Sequence, residues 1–410
     1  MTENKCRFCN RILQISFVDL GFSPLSNAMI KKENLNKNEK KFPLHVFVCK
    51  QCLLVQLQEF EKPKEIFSDY VYFSSYSKTW LEHSEKYVDM MISRMKLTEK
   101  NQVIEIASND GYLLQFFKEK NIPVLGIEPA INVAKVAQEK NIPTITKFFG
   151  TKTAKTLLKE GKLADLLLGN NVLAHVPDLN DFVKGMKIIL NKKGVITMEF
   201  PHLLQLISNN QFDTIYHEHF SYFSFLTVQK VFEYHGLVIY DVEELLTHGG
   251  SLRIFAKHND DGSKSISNNI EIMKRKEKEF GLDKISTYTN FQRNINRVKI
   301  NIQDFFIKCS KDGKKVVGYG APAKGNTLLN YCKINKHQMD FTVDLSKYKQ
   351  GLFLPGTHIP VYSPEMIKET KPDYVFILPW NLKEEIMSQL EFIRKWNAKF
   401  VIPIPEVEIL

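Results

Sequence analysis

The chain has 410 residues, 43% of them hydrophobic and 25% charged, with a formal net charge of +10. That length exceeds one ordinary core and predicts two or three domains of soluble, globular composition. No apolar run is long enough to span a membrane, the first residues lack a signal-peptide core, and the lysines form no aromatic-lined stripe, so a cytoplasmic protein that binds neither membrane nor nucleic acid is expected.

Residues 1–72 read as a first module. Cys6-x-x-Cys9 and Cys49-x-x-Cys52 can deliver four thiolates to one zinc ion, and a closed set of four leaves no position for a substrate, so the site is structural. A redox pair is the alternative, but two matching pairs are simpler to explain as one metal site. A module this small has little core of its own, and the metal would supply folding energy. The tyrosine- and serine-rich segment from Ser68 to Trp80, which includes Tyr76, reads either as a lid over a pocket or as a packing seam. A helix follows over 81–96.

Residues 73–258 read as an α/β domain. Val103–Ile106 is a short apolar run that ends in Ala107-Ser108-Asn109-Asp110-Gly111, followed by a helix. A strand that stops at such a turn places the turn's backbone at the carboxyl edge of a parallel sheet, where α/β proteins bind ligands. Glu105 is a carboxylate within that apolar strand, and a cationic ligand would give it a partner. A second strand, 124–127, ends in Glu128-Pro129, and an acid there suits the hydroxyls of a ribose. Further strands are predicted at 143–149, 165–170 and 194–201, with a late hairpin from 237–242 and 251–256. Asp178 can cap the helix that begins at Leu179. After the fifth strand comes Asp213-Thr214-Ile215-Tyr216-His217-Glu218-His219-Phe220-Ser221-Tyr222, the densest acid–base cluster in the chain. A solvated loop explains one histidine easily, but explains this cluster poorly.

Residues 259–312 read as a helical connector. Residues 313–410 read as a third, Rossmann-like α/β module. It opens on a strand and the turn Gly318-Tyr319-Gly320-Ala321-Pro322-Ala323-Lys324, a weak form of the dinucleotide fingerprint. That turn and Lys324 either touch a substrate's nucleotide or phosphates, or merely pack.

The paired strands with Glu105 and Glu128 resemble the first half of a class I S-adenosylmethionine-dependent methyltransferase, although Ala107 and Ser108 stand where a glycine is commoner. Four features in one order make the resemblance specific. They are the double CxxC, Glu-Ile-Ala-Ser-Asn-Asp-Gly, Asn-Asn-Val-Leu-Ala-His-Val-Pro and Tyr-His-Glu-His-Phe-Ser-Tyr. Together they resemble the sugar C-methyltransferases that act on nucleotide-linked keto-deoxysugars, over the whole chain. The resemblance implies cofactor contacts from Glu105, Ala107, Ser108, Asn109 and Gly111 in the first turn. It also implies contacts from Glu128 and Pro129 after the second strand, and from Asn170 and Asn171 after the fourth.

By the same resemblance His219 is the base that removes the carbon-three hydrogen of a 4-keto sugar. Glu218 is the alternative base or orients the imidazole. Tyr216 would lie near the keto oxygen, with Tyr76 and His175 completing the pocket and Tyr222 touching the substrate. A nicotinamide-dependent sugar oxidoreductase using the Gly318 turn, an N- or O-methyltransferase, and a non-catalytic zinc scaffold are the competing readings. Nucleotide, sugar, stereochemistry and oligomeric state are left open by the sequence.

Overall fold

A computed structural model describes residues 4–61 and 74–410; of Tyr76, only the backbone is described. Most of the tyrosine–serine segment, up to Phe73, lies outside the described residues. Three sheets carry the chain. The first is antiparallel, in the order β1-β2-β3-β9, from Ile15–Ser23 (β1), Phe42–Val48 (β2), Val55–Leu57 (β3) and Ser221–Tyr222 (β9). Its last strand comes from the acid–base segment rather than from the N-terminal residues.

The second sheet is built from Val103–Ile106 (β4), Val124–Ile127 (β5), Thr144–Ile145 (β6), Ala164–Asn170 (β7), Leu190–Pro201 (β8), Leu237–Leu245 (β10) and Ser251–His258 (β11). Its order is β10-β11-β8-β7-β4-β5-β6. The pairs among β4 to β8 are parallel, whereas β11 is antiparallel to both β8 and β10. This is the predicted parallel sheet closed by a hairpin. The third strand is shorter than the predicted 143–149. It sits at the sheet edge with only β5 beside it, and Lys147 N–H turns back onto the Ile145 carbonyl at 3.1 Å. Phe148 and Phe149 therefore leave the ladder and enter a cleft wall.

The third sheet takes Val316–Tyr319 (β12), Thr342–Val343 (β13), Val361–Tyr362 (β14), Tyr374–Ile377 (β15), Lys399–Ile402 (β16) and Glu408–Ile409 (β17), in the order β14-β13-β12-β15-β16-β17. Only β17 runs antiparallel. Both parallel sheets thus open outwards from a central first strand, and each puts its first turn at a strand-order reversal.

One long helix covers the second sheet, and another joins the first sheet to the third. Lys78–Met95 starts at Ser77, whose hydroxyl accepts from Trp80 N–H at 3.3 Å, and buries Ser84, Tyr87, Val88 and Met91 on one face. Phe291–Lys311 buries a stripe that runs through Phe291, Ile295, Val298, Ile302 and Phe306. Phe291 stacks on Phe17 of β1 at 4.7 Å, and Phe306 meets Phe376 of β15 at 5.2 Å, so the N-terminal and C-terminal sheets share one core. Among the described residues, no helix is long and apolar enough to cross a membrane.

The sulfurs of Cys6, Cys9, Cys49 and Cys52 all lie within 4.8 Å of one another, with Cys6–Cys52 and Cys9–Cys49 each at 3.5 Å. Zinc–sulfur bonds of about 2.3 Å put tetrahedral thiolates roughly 3.8 Å apart, so the four residues fit the ion. The cluster lies under the methyltransferase-like sheet's core rather than in one of its own. Elemental analysis should find one zinc per chain. Cys49→Ser should lose it and should unfold the first sheet, together with β9, at lower temperature. Metal-free protein that melts like the native protein would overturn this site.

Candidate active site

One cleft of about 1670 Å³ runs between the carboxyl edge of the second sheet and the third sheet. Ala107, Asn109, Glu128, Pro129, Asn170, Asn171, His175, Tyr216, Glu218, His219 and Lys324 all line it. Residues separated by more than two hundred positions therefore face one space.

The floor is the turn after β4. Ala107, Asn109 and Gly111 have φ of 58°, 48° and 76°, and the tight turn is tied down by Ala107 N–H on the Ile127 carbonyl at 2.8 Å and Gly111 N–H on the Ser108 carbonyl at 3.0 Å. A Cβ on Gly111 would stand 2.4 Å from Ile142 Cδ1, and one on Gly126 of β5 would stand 2.4 Å from Ser108 Oγ. Glycine at both positions lets the turn sit directly on the neighbouring strand and helix. Glu128 accepts from Asn109 N–H at 2.9 Å and from Ala130 N–H at 2.8 Å. Burial nonetheless raises its carboxyl to about 7, against those two hydrogen bonds. Asn170 Nδ2 and Asn171 Oδ1 are buried with no hydrogen-bond partner among the described residues. An acid before a ribose-sized opening and unpartnered amide groups at the neighbouring strand end fit a nucleoside-containing cofactor.

Glu105 is placed differently from its expectation. It is fully buried and does not line the cleft. Burial lifts its carboxyl well above the usual range, while the Tyr112 hydroxyl opposes the shift. A neutral acid needs no cationic partner, so the structure removes the reason for expecting one from a ligand. Ser108 and Gly111 likewise support the turn from beneath rather than line the cleft.

The acid–base segment forms the opposite wall. His219 Nδ1 lies 2.8 Å from the Thr214 carbonyl and must donate to it, which leaves Nε2 as the acceptor. The imidazole is held by this carbonyl and not by Glu218, as the sequence had suggested. Its ring lies 4.0 Å from that of Tyr216 and 4.6 Å from that of His175. Burial, with His175 and His248 nearby, holds the His219 pKa well below its ordinary value, and burial lowers His175 to about 4. Both rings are therefore neutral at pH 7. Glu218 accepts from Asn27 Nδ2 at 2.5 Å, while burial raises its carboxyl to about 7.

His217 turns away. It lies 3.3 Å from the Pro43 carbonyl, beside Phe42 and Phe60. Tyr222 does not line the cleft either, because pairing with Val55 turns it into the core shared with the N-terminal sheet. Tyr76 is placed by its backbone in the short turn Ser74–Tyr76.

The third sheet supplies the far wall. Lys324 stands in the first turn of the helix Ala323–Cys332, over the Trp380 ring at 4.5 Å and hydrogen-bonded to Asn381. Burial lowers its pKa to about 8, opposed by Asp213, which itself accepts from Trp380 Nε1 at 2.6 Å. Asp344, at the end of β13, accepts from Ala321 N–H at 2.7 Å, much as Glu128 accepts from Asn109.

Comparison with known proteins decides the family. A C-methyltransferase C-terminal domain model matches residues 246–405, a methyltransferase domain model matches 80–242, and a "Putative zinc binding domain" model matches 6–67. C-methyltransferase NovU of Streptomyces niveus is 35% identical over 99% of this chain and 97% of its own. The chain belongs to the C-methyltransferase family. It is an S-adenosylmethionine-dependent enzyme with an N-terminal zinc-binding domain, as its motifs implied. Ubiquinone biosynthesis O-methyltransferase of Bartonella tribocorum is 29% identical over 23% of this chain and 39% of its own. An S-adenosylmethionine-dependent methyltransferase of Clostridium acetobutylicum with a solved structure is 12% identical and covers 43% of this chain and 92% of its own, at a TM-score of 0.35.

Several residues of the C-methyltransferase's cleft escaped the sequence reading. Asn27 comes from the N-terminal module, far from any motif. His83 arrives on the helix Lys78–Met95, its ring 4.9 Å from that of Trp80, the last residue of the segment read as a possible lid. His248 sits at φ 55° in the turn after β10, and its Nε2 accepts from Asn171 Nδ2 at 3.0 Å. The Gly249-Gly250 pair beside His248 was the one available signal, since it marks a tight turn at the carboxyl edge.

The Glu128 carboxyl gives a pH prediction. Below about 7 it is protonated, and binding that requires the carboxylate then costs its ionisation. Calorimetry should find S-adenosylmethionine affinity several-fold weaker at pH 6 than at pH 8 in the native protein. The amino group of the ligand titrates equally with either protein, so Glu128→Gln should bind more weakly and keep only the ligand's own pH dependence. The same pH dependence in both proteins would take Glu128 out of the cofactor site.

Proposed function

We propose that this enzyme methylates carbon three of a nucleotide-linked 4-keto-deoxysugar, after removing the hydrogen on that carbon. The observation that carries the reading is His219. Its Nδ1–H is committed to the Thr214 carbonyl, and its Nε2 serves a cleft shared with the Glu128 turn. Carbon has no lone pair to offer an electrophile, so a C-methyltransferase must first create one. A ketone at carbon four makes the neighbouring hydrogen acidic enough to remove.

S-adenosylmethionine, when bound, supplies an electrophilic methyl on a cationic sulfur. Ala107, Asn109, Glu128, Pro129, Asn170 and Asn171 would hold it against the strand ends, with Glu105, Ser108 and Gly111 supporting the turn. His219 Nε2 takes the carbon-three proton. The Tyr216 hydroxyl faces the oxygen on which negative charge develops. His175, kept neutral by burial, packs edge-on to the His219 ring at 4.6 Å and confines it. Tyr222 backs the segment from the core behind β9, and Tyr76 is assigned to the pocket by the family resemblance. Lys324, cationic below about 8, and the Gly320 turn at a helix N-terminus are suited to the substrate's diphosphate. The same reading divides the chain into a zinc module (1–72), a cofactor domain (73–258), a helical connector (259–312) and a substrate-binding module (313–410).

One observation favours Glu218 as the base instead. Its carboxyl is raised to about 7, close to the working pH at which a general base is most effective. His219, its pKa lowered by burial, is the weaker base of the two.

Solvent exchange separates the two. His219→Asn should lose at least the roughly 10²-fold rate expected of general-base removal, together with deuterium exchange at carbon three, while cofactor binding persists. Exchange that survives in His219→Asn and vanishes in Glu218→Gln would make the carboxylate the base. Mass spectrometry of a panel of nucleotide 4-keto-deoxysugars incubated with the cofactor tests the substrate class. A panel that yields no methylated sugar would overturn it.

A further inference from the structure

Among the described residues, the N-terminal module reaches into the cleft at the loop 24–30. Asn27 lines the cleft, and its Nδ2 donates to Glu218 Oε1 at 2.5 Å. The partners are 191 positions apart, and the loop itself contains no catalytic motif. The loop is held from both flanks by the third sheet's module. Asn326 Nδ2 donates to the Ser26 carbonyl at 2.6 Å. The backbone of Ile30 exchanges two hydrogen bonds of 2.9 Å with Phe353.

The same C-terminal helix grips the catalytic segment. Thr327 Oγ1 donates to the Ile215 carbonyl at 3.0 Å, one residue before Tyr216. Adjacent residues of one helix, Asn326 and Thr327, therefore fix the two backbones that carry Asn27 and Glu218. All three modules meet at this one side-chain contact. An ordinary packing contact between domains would need no amide donor aimed at a cleft carboxyl. A surface loop would need no buried clamp: Asn326 and Thr327 are almost fully buried.

We propose that Asn27 is a positioning residue of the active site, supplied by the zinc module to hold the Glu218 carboxyl in the cleft, with Asn326 and Thr327 setting its reach. This deepens the reading above and rests on it for the role of Glu218 in turnover, but the contact itself can be tested without substrate. A donated N–H favours the ionised form of its acceptor. The other titratable groups that line the cleft on neighbouring elements are Tyr216 and His219 of the same segment and, from the loop after β7, His175, which is hydrogen-bonded to the Glu218 backbone. Among the described residues, no lysine or arginine stands within ion-pair distance of Glu218, and Asn27 is the hydrogen-bond donor that offsets its burial.

The experiment follows the Glu218 carboxyl carbon by nuclear magnetic resonance in full-length zinc-loaded protein with S-adenosylhomocysteine bound, assigned by comparison with Glu218→Gln. In Asn27→Leu the titration midpoint should rise by about one pH unit, the effect of losing one hydrogen bond to a charged group. Asn27→Asp, which matches the side chain in volume, should raise it further and keeps the test open if the leucine variant does not fold. Asn27→Ser, which retains a donor, should recover part of the shift. Where a nucleotide 4-keto-deoxysugar is turned over, the acid limb of the methylation rate should move by the same amount. A midpoint unchanged in both the leucine and the aspartate variants, with only a lower melting temperature, would overturn the positioning role. A shifted midpoint in a protein that methylates none of the sugars tested would instead count against the substrate reading and leave the Asn27 contact standing.

Discussion

A short antiparallel ladder decides where the chemistry can occur. Val55 pairs with Tyr222 and Gln56 with Ser221, and Leu57 N–H reaches the Phe220 carbonyl at 3.0 Å. Phe220 N–H in turn reaches the Ala174 carbonyl at 2.7 Å, on the loop that carries His175. The acid–base segment is thus stretched between the zinc module's sheet and the carboxyl edge of the cofactor sheet. A free loop of that length would spend backbone entropy each time it adopted one arrangement. Here the cost is met during folding, and the metal contributes to it by fixing the hairpins that build the first sheet.

The cleft's titratable groups share a second constraint, which is burial. Desolvation raises Glu128 and Glu218 to about 7 and Asp213 to about 6, and lowers His175 and His248 to about 4. Each shift favours the neutral form, because charge is poorly solvated there. Carboxyls raised to about 7 beside neutral imidazoles can take up or release a proton near the working pH. Lys324 retains a charge more readily than these groups, at the end away from the cofactor turn, where a phosphorylated substrate would be drawn.

The legible parts of this protein were those coded by short-range patterns. Cysteine spacing reported the metal cluster, because two hairpins can present four thiolates with little help from the rest of the fold. Apolar runs ending in Asn109–Gly111 and Glu128 reported the sheet's carboxyl edge, because a strand and its turn are contiguous. Tyr216, Glu218 and His219 were visible as an unusual density of reactive side chains. Asn27 was invisible because its significance lies wholly in a contact across 191 positions. The carbonyl that orients His219 belongs to Thr214, and a backbone atom has no signature in a sequence. Glu105 was recognised as anomalous, yet what governs its carboxyl is burial, which raises its pKa against the Tyr112 hydroxyl and which no local pattern reports. Tyr222 looked like part of the reactive cluster, but strand alternation at β9 turns it to the core.

Cofactor, sugar and base are proposed to meet in the cleft that the three modules enclose. A crystal structure of the zinc-loaded protein with S-adenosylhomocysteine and a nucleotide 4-keto-deoxysugar would show whether they do. The ribose is expected on Glu128, the diphosphate beside Lys324, and carbon three of the sugar between the sulfur and either His219 Nε2 or the Glu218 carboxylate. A sugar bound elsewhere, or held with carbon three facing away from both groups, would contradict the proposal.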